Sequence, residues 1–329
     1  MSSAAAILSV EGLSVSAPGG ALLIDAVDLT LPRGGALALL GQPDAGIDTL
    51  IDVLLGQAHP DATVSAGAIR LTGSEPARID LRTPRGMQAL RGRRIGAVLA
   101  GGRDIDPQRP ARAHVEEGLD GHRGERRERA ERALGIVGLG PGEASRPSGE
   151  LSDDARERTA IAAALALAPD LLVVREPGAR LDPIERARLL DLLSRVRAQG
   201  PALVIATASA DTAIRTCAEV VVVLGGQVVE SGPLPRTLVR PHHPYTQRLV
   251  HAMPGAVAGR TVGTPPPLRA WANGPGCRHE MACPRARDAC LRQRPDLHAV
   301  GGGQRARCLF APWPLGALAE PPAVAAESR

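Results

Sequence analysis

The chain has 329 residues, of which 44% are apolar and 22% charged, so it can bury a sizeable core as one large domain or two. The formal net charge is only +4, the arginines are interleaved with acids, and aromatic residues make up 1%, which argues against a nucleic-acid partner. The longest apolar runs are far shorter than the roughly 20 residues of a membrane-spanning helix, and the first residues lack the basic start of a signal peptide, which predicts a cytoplasmic protein.

Short apolar runs typical of strands that are buried on both faces recur along the chain. They lie at 36–40, 171–174, 202–207 and 220–224. Helical patterns separate several of these runs, and this order predicts an α/β protein with a parallel sheet. The clearest helix follows Asp182 as its cap, has Pro183 at its first position and is closed by Gly200.

The remaining segments differ from these strands in composition. Residues 101–155 are charged and punctuated by glycine and proline, which predicts a mainly helical insertion. The sequence GGQVVESG at 225–232 is typical of a hairpin. Residues 239–329 are rich in proline, arginine and cysteine, so we expect a C-terminal domain after a first domain of residues 1–238.

The sequence GQPDAGIDT at 41–49 has the position of a phosphate loop, because it directly follows the apolar run ALALL. In the pattern G-x-x-x-x-G-K-[ST], backbone N–H groups cradle phosphates, the lysine reaches the β- and γ-phosphates, and the hydroxyl helps to hold Mg²⁺. Gly41 and Gly46 are retained, but Ile47 replaces the lysine and Asp48 the hydroxyl, with Thr49 next in the chain. The chain contains no lysine at all, so the loop lacks the positive charge of the pattern.

Further motifs follow this loop in a fixed order. They are RRIGAVLAGGRDIDP (93–107), LSDDARERT (151–159), LLVVREPGARLD (171–182), VIATASAD (204–211), HPYTQRLVHAMP (243–254) and GCRHEMACPRARDAC (276–290). The series resembles the nucleotide-binding subunits of ABC transporters, and its last two members resemble the C-terminal extension of the oligopeptide, dipeptide and nickel importer branch. This resemblance implies an ABC-type P-loop NTPase cassette with a parallel-sheet core, an antiparallel edge and a helical insertion, followed by a small Cys-rich extension.

Carried over position by position, the resemblance implies a nucleotide site with several losses. The glutamine that senses the γ-phosphate is Ala100, the Mg²⁺-holding aspartate is Arg175, and the switch histidine is Ala208. The catalytic glutamate, Glu176, and the D-loop aspartate, Asp182, are present. Phosphoryl transfer depends on positioning and electrostatic stabilisation, so we expect weak or absent binding of ATP and Mg²⁺ and a vestigial role for Glu176.

Two of these changes suggest a specific contact. In the family the loop hydroxyl and the aspartate both hold the metal ion, so positions 48 and 175 are expected to lie close together. Asp48 and Arg175 would then form an ion pair in the place of the metal. The alternative is independent drift at a site that is no longer used.

The signature motif of the family reads LSDDA at 151–155. In the family this helix start completes the nucleotide site of a partner cassette in a head-to-tail dimer. Ser152 is retained, but Asp153 and Asp154 replace two glycines. The carboxylates suit the positive end of a helix, yet they occupy the place where a phosphate would bind.

Four cysteines in the C-terminal part match the pattern of the importer branch. Cys277, Cys283, Cys290 and Cys308 are separated by five, six and seventeen residues. The resemblance implies a [4Fe–4S] cluster, while four thiolates also suit zinc, and unmetallated structural cysteines are a third possibility.

The reading with most support is a degenerate ATP-binding-cassette subunit of a peptide-type or nickel-type ABC importer. It implies a second, competent cassette, integral-membrane permease subunits and, indirectly, an extracytoplasmic substrate-binding protein. The chain is then expected to be peripheral on the inner face of the cell membrane. Two alternatives remain open: an active ATPase subunit with a deviant site, and a soluble iron–sulfur regulatory or scaffold protein.

Overall fold

A computed structural model describes residues 6–57, 62–72, 76–79, 93–99, 101–198, 200–251 and 274–313. The strands are β1 (Ala6–Ser16), β2 (Leu22–Pro32), β3 (Ala36–Leu40), β4 (Thr63–Thr72), β5 (Pro76–Ile79), β6 (Ile95–Val98), β7 (Leu171–Arg175), β8 (Ala202–Thr207), β9 (Glu219–Leu224), β10 (Gln227–Pro233), β11 (His298–Gly301) and β12 (Gln304–Ala306). The described α-helices are α1 (Ile47–Leu54), α2 (Ala111–Glu117), α3 (Arg123–Ile136), α4 (Pro141–Ser145), α5 (Asp153–Ala166), α6 (Pro183–Ala198), α7 (Ala210–Thr216), α8 (Leu234–Val239), α9 (Pro244–His251) and α10 (Asp288–Arg292).

The main sheet has eight strands in the order β11-β12-β10-β9-β3-β8-β7-β6. Its five strands from β9 to β6 run parallel. Four of them are the predicted apolar runs, and β6 is an additional strand. β9 and β10 form the hairpin predicted at GGQVVESG. The parallel strands are continuous apolar runs because both of their faces are covered.

Alternate residues of the parallel strands serve two different cores. In β7, Leu171 and Val173 pack with the N-terminal strands and α1. Leu172 and Val174 pack with the helices between residues 111 and 196 on the other face. This period of two is the side-chain alternation of any strand, and here it joins two hydrophobic layers across a single sheet.

The antiparallel strands at the N-terminal side form a sheet of their own, in the order β2-β1-β4-β5. The sequence predicted them as an antiparallel edge of the parallel sheet, whereas they pair into a separate sheet. β2 alternates buried and exposed residues over most of its length, with Val27, Leu29 and Leu31 buried. One face of this sheet therefore packs on the main core while the other is exposed.

The residues expected to form the insertion are mainly helical and contain α2, α3 and α4. The C-terminal residues contribute to the main sheet as well, because β12 pairs antiparallel with β10 through Glu230 and Ala306. The cassette and the C-terminal segment, a name used here for residues 239–329, thus share one sheet.

Gly226 lies at a close approach of three backbone segments, and its substitution tests the packing. Its φ is +76°, and a Cβ atom there would overlap the carbonyl oxygen of Leu23. We expect Gly226→Ala to lower the free energy of unfolding by more than about 3 kcal/mol, measured by urea unfolding. Gly34 is the control, since its φ is +65° but no atom lies within 4 Å of an added Cβ. Gly34→Ala should cost only about 1–2 kcal/mol, and equal losses would contradict the argument.

Candidate nucleotide-binding site

A cavity lies at the carboxyl ends of β3, β7 and β8, where ligands of parallel α/β sheets bind. Its volume is about 830 Å³, large enough for a nucleotide-sized ligand. Its polar and loop lining comes from Gly41, Gln42, Pro43, Asp44, Gly46, Asp48, Thr49, Gly101, Arg103, Asp153, Arg156, Glu157, Arg175, Glu176, Arg180, Thr207, Gly225, Gly226 and Arg278. Ile47 also lines it, so the predicted loop, Arg175 and Glu176 are brought together here.

The phosphate-loop sequence forms a tight turn between β3 and α1. Gly46 caps the helix with φ +98°, and a Cβ atom there would come within 2.8 Å of Gly226 Cα. No side chain caps α1, and the first turn of any helix leaves backbone N–H groups without a partner inside the helix. Because Ile47, Asp48 and Thr49 of this turn line the cavity, the helix start is suited to an anion.

Asp48 and Arg175 form the ion pair that the sequence predicted. Arg175 Nη1 lies 3.0 Å from Asp48 Oδ1, and Arg175 Nε donates to the carbonyl oxygen of Leu99 at 3.0 Å. The two side chains are 64% and 32% exposed, so the pair contributes at most about 1 kcal/mol to stability. Its main effect is local, because the guanidinium occupies one oxygen of a carboxylate that faces the cavity.

Glu176 lies in the cavity, but hydrogen bonds engage both of its carboxylate oxygens. Oε1 accepts from the backbone N–H of Ala208 at 2.7 Å, and Oε2 accepts from the hydroxyl of Thr207 at 3.0 Å. Glu176 also has φ +46°, an uncommon conformation for a residue with a side chain. The carboxylate is therefore held against the end of β8.

Ser152 and Asp182 serve as helix caps in the structure. Ser152 Oγ accepts from the N–H of Ala155 at 3.2 Å at the start of α5. Asp182 Oδ1 accepts from the N–H groups of Ile184 and Glu185 at 2.7 and 2.9 Å at the start of α6. Neither residue is part of the cavity lining, and neither is Ala208. Ala100 lies outside the described residues.

The acidic start of α5 does reach the cavity through Asp153. Its carboxylate binds Arg156 of the same helix and lies 3.2 Å from Arg180 Nη2. Asp154, the second replacement in the LSDDA motif, binds Arg158 with 2.8 Å to Nε. Both carboxylates are thus neutralised by arginines of the chain itself.

Glu157 is a site residue that the sequence analysis missed. It is almost fully buried, lines the cavity and accepts a hydrogen bond from the N–H of Gly178 at 3.0 Å. Burial raises the pKa of this carboxyl above its ordinary value. Nothing in the charged stretch DDARERT distinguishes Glu157 from a solvated helix residue, so only the tertiary structure identifies it.

The HPYT motif anchors the C-terminal segment. The backbone N–H groups of His242 and His243 donate to the two oxygens of Glu230 at 2.6 and 3.0 Å. Tyr245, at the start of α9, accepts a hydrogen bond at Oη from the N–H of Gln42 at 2.9 Å. The tyrosine of this motif thus contacts the phosphate loop.

The predicted [4Fe–4S] cluster is wrong, and a zinc site is equally without support. Cys277, Cys283, Cys290 and Cys308 do line one small cavity of about 20 Å³. Yet within the described ranges, no group of three or more His, Cys, Asp or Glu side chains is placed to hold a metal ion. Burial raises the pKa of Cys277 to about 11 and of Cys283 to about 12, which favours neutral thiols over the thiolates that metals bind. The alternative of a soluble iron–sulfur regulatory or scaffold protein therefore has no support.

No helix in the described part of the chain has the length and apolar character needed to cross a membrane.

The fold and the cavity together define a nucleotide-binding cassette of the P-loop class. The ABC transporter family matches residues 24–179, and the family described as "Oligopeptide/dipeptide transporter, C-terminal region" matches residues 229–290. The chain belongs to the ABC transporter ATP-binding proteins with this C-terminal region.

Two relatives span nearly the whole chain. A protein of Brucella ovis, named as a peptide import ATP-binding protein, is 30% identical and covers 87% of this chain and 90% of its own length. The dipeptide transport ATP-binding protein DppD of Escherichia coli is 28% identical, with coverage of 93% and 97%. Among solved structures, cbiO1 of Clostridium perfringens, part of the ABC transporter complex cbiONQ, aligns with a TM-score of 0.63 and 27% identity over 75% of this chain and 94% of its own. These matches confirm the predicted cassette fold.

They also correct the expectation that the chain binds ATP and Mg²⁺ weakly or not at all. The family is one of ATP-binding proteins, and the cavity at the phosphate loop is intact in this chain. The start of α1 remains suited to an anion without the lysine, because the N–H groups of its first turn have no partner inside the helix.

Glu230, which is fully buried, makes stability depend on pH. Burial raises the pKa of its carboxyl from 4.5 to about 7 in the folded protein. The folded state therefore binds the proton more tightly than the unfolded chain does. The free energy of unfolding should fall by about 1.4 kcal/mol for each pH unit between pH 4.5 and about 7, measured by denaturant titration at several pH values.

Glu230→Gln should flatten this part of the pH profile, because the variant has no proton to lose there. Glu128→Gln, which changes an exposed carboxyl of α3, supplies the control. A wild-type profile that rises over this range, or a Glu230→Gln profile with the wild-type slope, would contradict the assignment.

Proposed function

We propose that the chain is the ATP-binding cassette subunit of an ABC import system for peptides or nickel, and that it binds nucleotide but contributes little hydrolysis. The observation that supports it is the presence, in one chain and in order, of a cassette region at 24–179 and an oligopeptide/dipeptide transporter region at 229–290. In this proposal residues 1–238 form the cassette, with its insertion over about 101–155, and residues 239–329 form a small Cys-rich extension.

The residues at hand suit a bound nucleotide. The first turn of α1 offers backbone N–H groups to the phosphates, and Asp48 and Thr49 offer the oxygen ligands that Mg²⁺ prefers. Arg175 competes with the metal for Asp48. Mg-ATP, when bound, supplies the phosphoanhydride bond whose cleavage drives a transport cycle.

Slow hydrolysis follows from the electrostatics of the site. Phosphoryl transfer needs groups that stabilise charge on the transferred phosphoryl, and loss of one such donor costs roughly 2.7–4 kcal/mol in the barrier. Ile47 provides no charge where a lysine is expected. Hydrogen bonds from Ala208 and Thr207 hold the Glu176 carboxylate against the end of β8, which restricts the positions in which it can orient a water molecule. Its role is then vestigial.

The implied assembly contains a second, competent cassette and membrane permeases, with an extracytoplasmic substrate-binding protein as an indirect partner. The start of α5 carries Asp153 and Asp154, which suit a helix terminus, but their side chains occupy the place where a partner's phosphate would bind. The chain would complete the dimer and transmit motion from the inner face of the membrane.

Hydrolysis by the purified chain tests the catalytic part of the proposal. Wild type and Glu176→Gln should release phosphate from Mg-ATP at equally low rates, in a coupled assay. The triple variant Ile47→Lys, Asp48→Ser, Arg175→Asp restores the charges of the pattern and should raise the rate at least about tenfold. Turnover by wild type that Glu176→Gln abolishes would overturn the proposal in favour of an active ATPase.

Isolation from native cells tests the assembly. A tagged chain, extracted with mild detergent, should copurify with one further cassette and integral-membrane subunits, identified by mass spectrometry. A tagged Gly226→Ala chain provides a control for non-specific capture through the tag. Recovery of the wild-type chain without any membrane protein would refute the transporter role and leave the nucleotide site untouched.

A further inference from the structure

The C-terminal segment contacts the phosphate loop at Gln42, the second residue of the loop. Gln42 N–H donates to the hydroxyl of Tyr245 at 2.9 Å, and Pro43, the next residue, has no N–H to donate. Tyr245 is 2% exposed, so its ring is fixed by packing in the core that α9 shares with β3 and β9. The beginning of the loop is therefore attached to a residue 203 positions further along the chain.

A second connection reaches the loop at Ala45. The N–H of Gly226 donates to the carbonyl oxygen of Ala45 at 2.7 Å, and the N–H of Asp25 donates to the carbonyl oxygen of Gly226 at 3.0 Å. The carboxylate of Asp25 in turn binds Arg278 at 2.7 Å and also Arg294, both from the C-terminal segment. The segment thus contacts the loop directly at Gln42 and indirectly, through Asp25 and Gly226, at Ala45.

Arg278 also brings charge to the cavity. Its side chain is 7% exposed, yet it is part of the cavity lining. One carboxylate, Asp25, faces the two guanidinium groups of Arg278 and Arg294, so these three groups carry a net positive charge. Because Ile47 leaves the loop itself without a cation, attraction of an anion into the cavity depends on positive groups outside the loop that face the cavity.

We propose that the C-terminal segment is a working part of the nucleotide site. Tyr245 is a positioning residue that holds the phosphate loop in its conformation, and Arg278 supplies positive charge toward the phosphates of a nucleoside diphosphate or triphosphate. The role of Arg278 rests on the proposed function, because it assumes that the ligand is a nucleotide. The role of Tyr245 does not, because its contact with the loop involves no ligand. Because coupling is reciprocal, bound nucleotide also stabilises the C-terminal segment.

Hydrogen exchange on the full chain without nucleotide tests the positioning role. Tyr245→Phe keeps the ring and removes only the hydroxyl, so backbone amides in peptides covering 41–49 should exchange at least threefold faster than in wild type. Thr216→Val removes another buried hydroxyl, which donates to Thr212 within α7, and should leave these peptides unchanged. Unchanged exchange in Tyr245→Phe, or equal acceleration in both variants, would overturn the positioning role.

Calorimetric titration with ADP tests the charge. Arg278→Gln should weaken binding about tenfold or more, and Tyr245→Phe about threefold to tenfold. Arg294→Gln is the matched control, since Arg294 binds the same Asp25 carboxylate but is not part of the cavity lining. Its effect should be smaller than that of Arg278→Gln.

The outcomes separate this inference from the proposed function. Equal affinities of wild type and Arg278→Gln would overturn the role of Arg278 while leaving a nucleotide-binding cassette. Absence of ADP binding by wild type would overturn both the role of Arg278 and the nucleotide part of the proposed function. The exchange experiment stands independently of either result.

Discussion

The structure depends on one close approach of backbone at Gly226. The N–H of this residue holds the phosphate loop through Ala45, and its carbonyl oxygen holds the N-terminal sheet through Asp25. It follows Gly225 in the turn between β9 and β10, so the main sheet fixes its place. A side chain at Gly226 or at the facing Gly46 would push these segments apart. The shape of the cavity thus follows from two glycines at least as much as from any charged residue.

The arginines of the cavity show how this chain handles charge without lysine. Arg175 is paired with Asp48, Arg180 with Asp153, and Arg278 with Asp25. An arriving phosphate has to compete with carboxylates that already hold these guanidinium groups. The pairs of Arg175 and Arg180 are partly exposed and therefore weak, so a polyanion with several charges can displace them at modest cost, whereas the pair of Arg278 and Asp25 is buried. Carboxylates of the chain thus neutralise these arginines, and the cavity remains open to a ligand.

Much of the fold was predictable because burial on both faces leaves a clear pattern. The four apolar runs became strands with boundaries shifted by at most one residue, and the helix after Pro183 begins where proline predicts. The N-terminal sheet was less evident, because its strands alternate and are interrupted by irregular pairing, as between Val10 and Leu13 of β1. Local patterns specify a strand, but they do not specify which sheet it joins.

The site was predictable where two changes compensate each other, and unpredictable where only the tertiary structure brings residues together. The paired reversal of charge at Asp48 and Arg175 predicted their contact. The roles of Tyr245 and Arg278 require knowledge of how a distant segment folds back on the loop. The cysteines illustrate the opposite error, since the family resemblance implied a bound cluster, whereas no group of three or more potential ligands among the described residues is placed to hold a metal ion.

The hairpin of β11 and β12 has one more consequence. Without it, β10 would be the last strand of the main sheet and would present unpaired N–H and C=O groups to solvent. Such an edge invites pairing with strands of other chains, and short covering strands are a common protection against it. β12 is three residues long, and a run of three glycines, Gly301 to Gly303, closes the turn before it. The hairpin of β11 and β12 therefore covers the edge of β10, which would otherwise be open to pairing with strands of other chains.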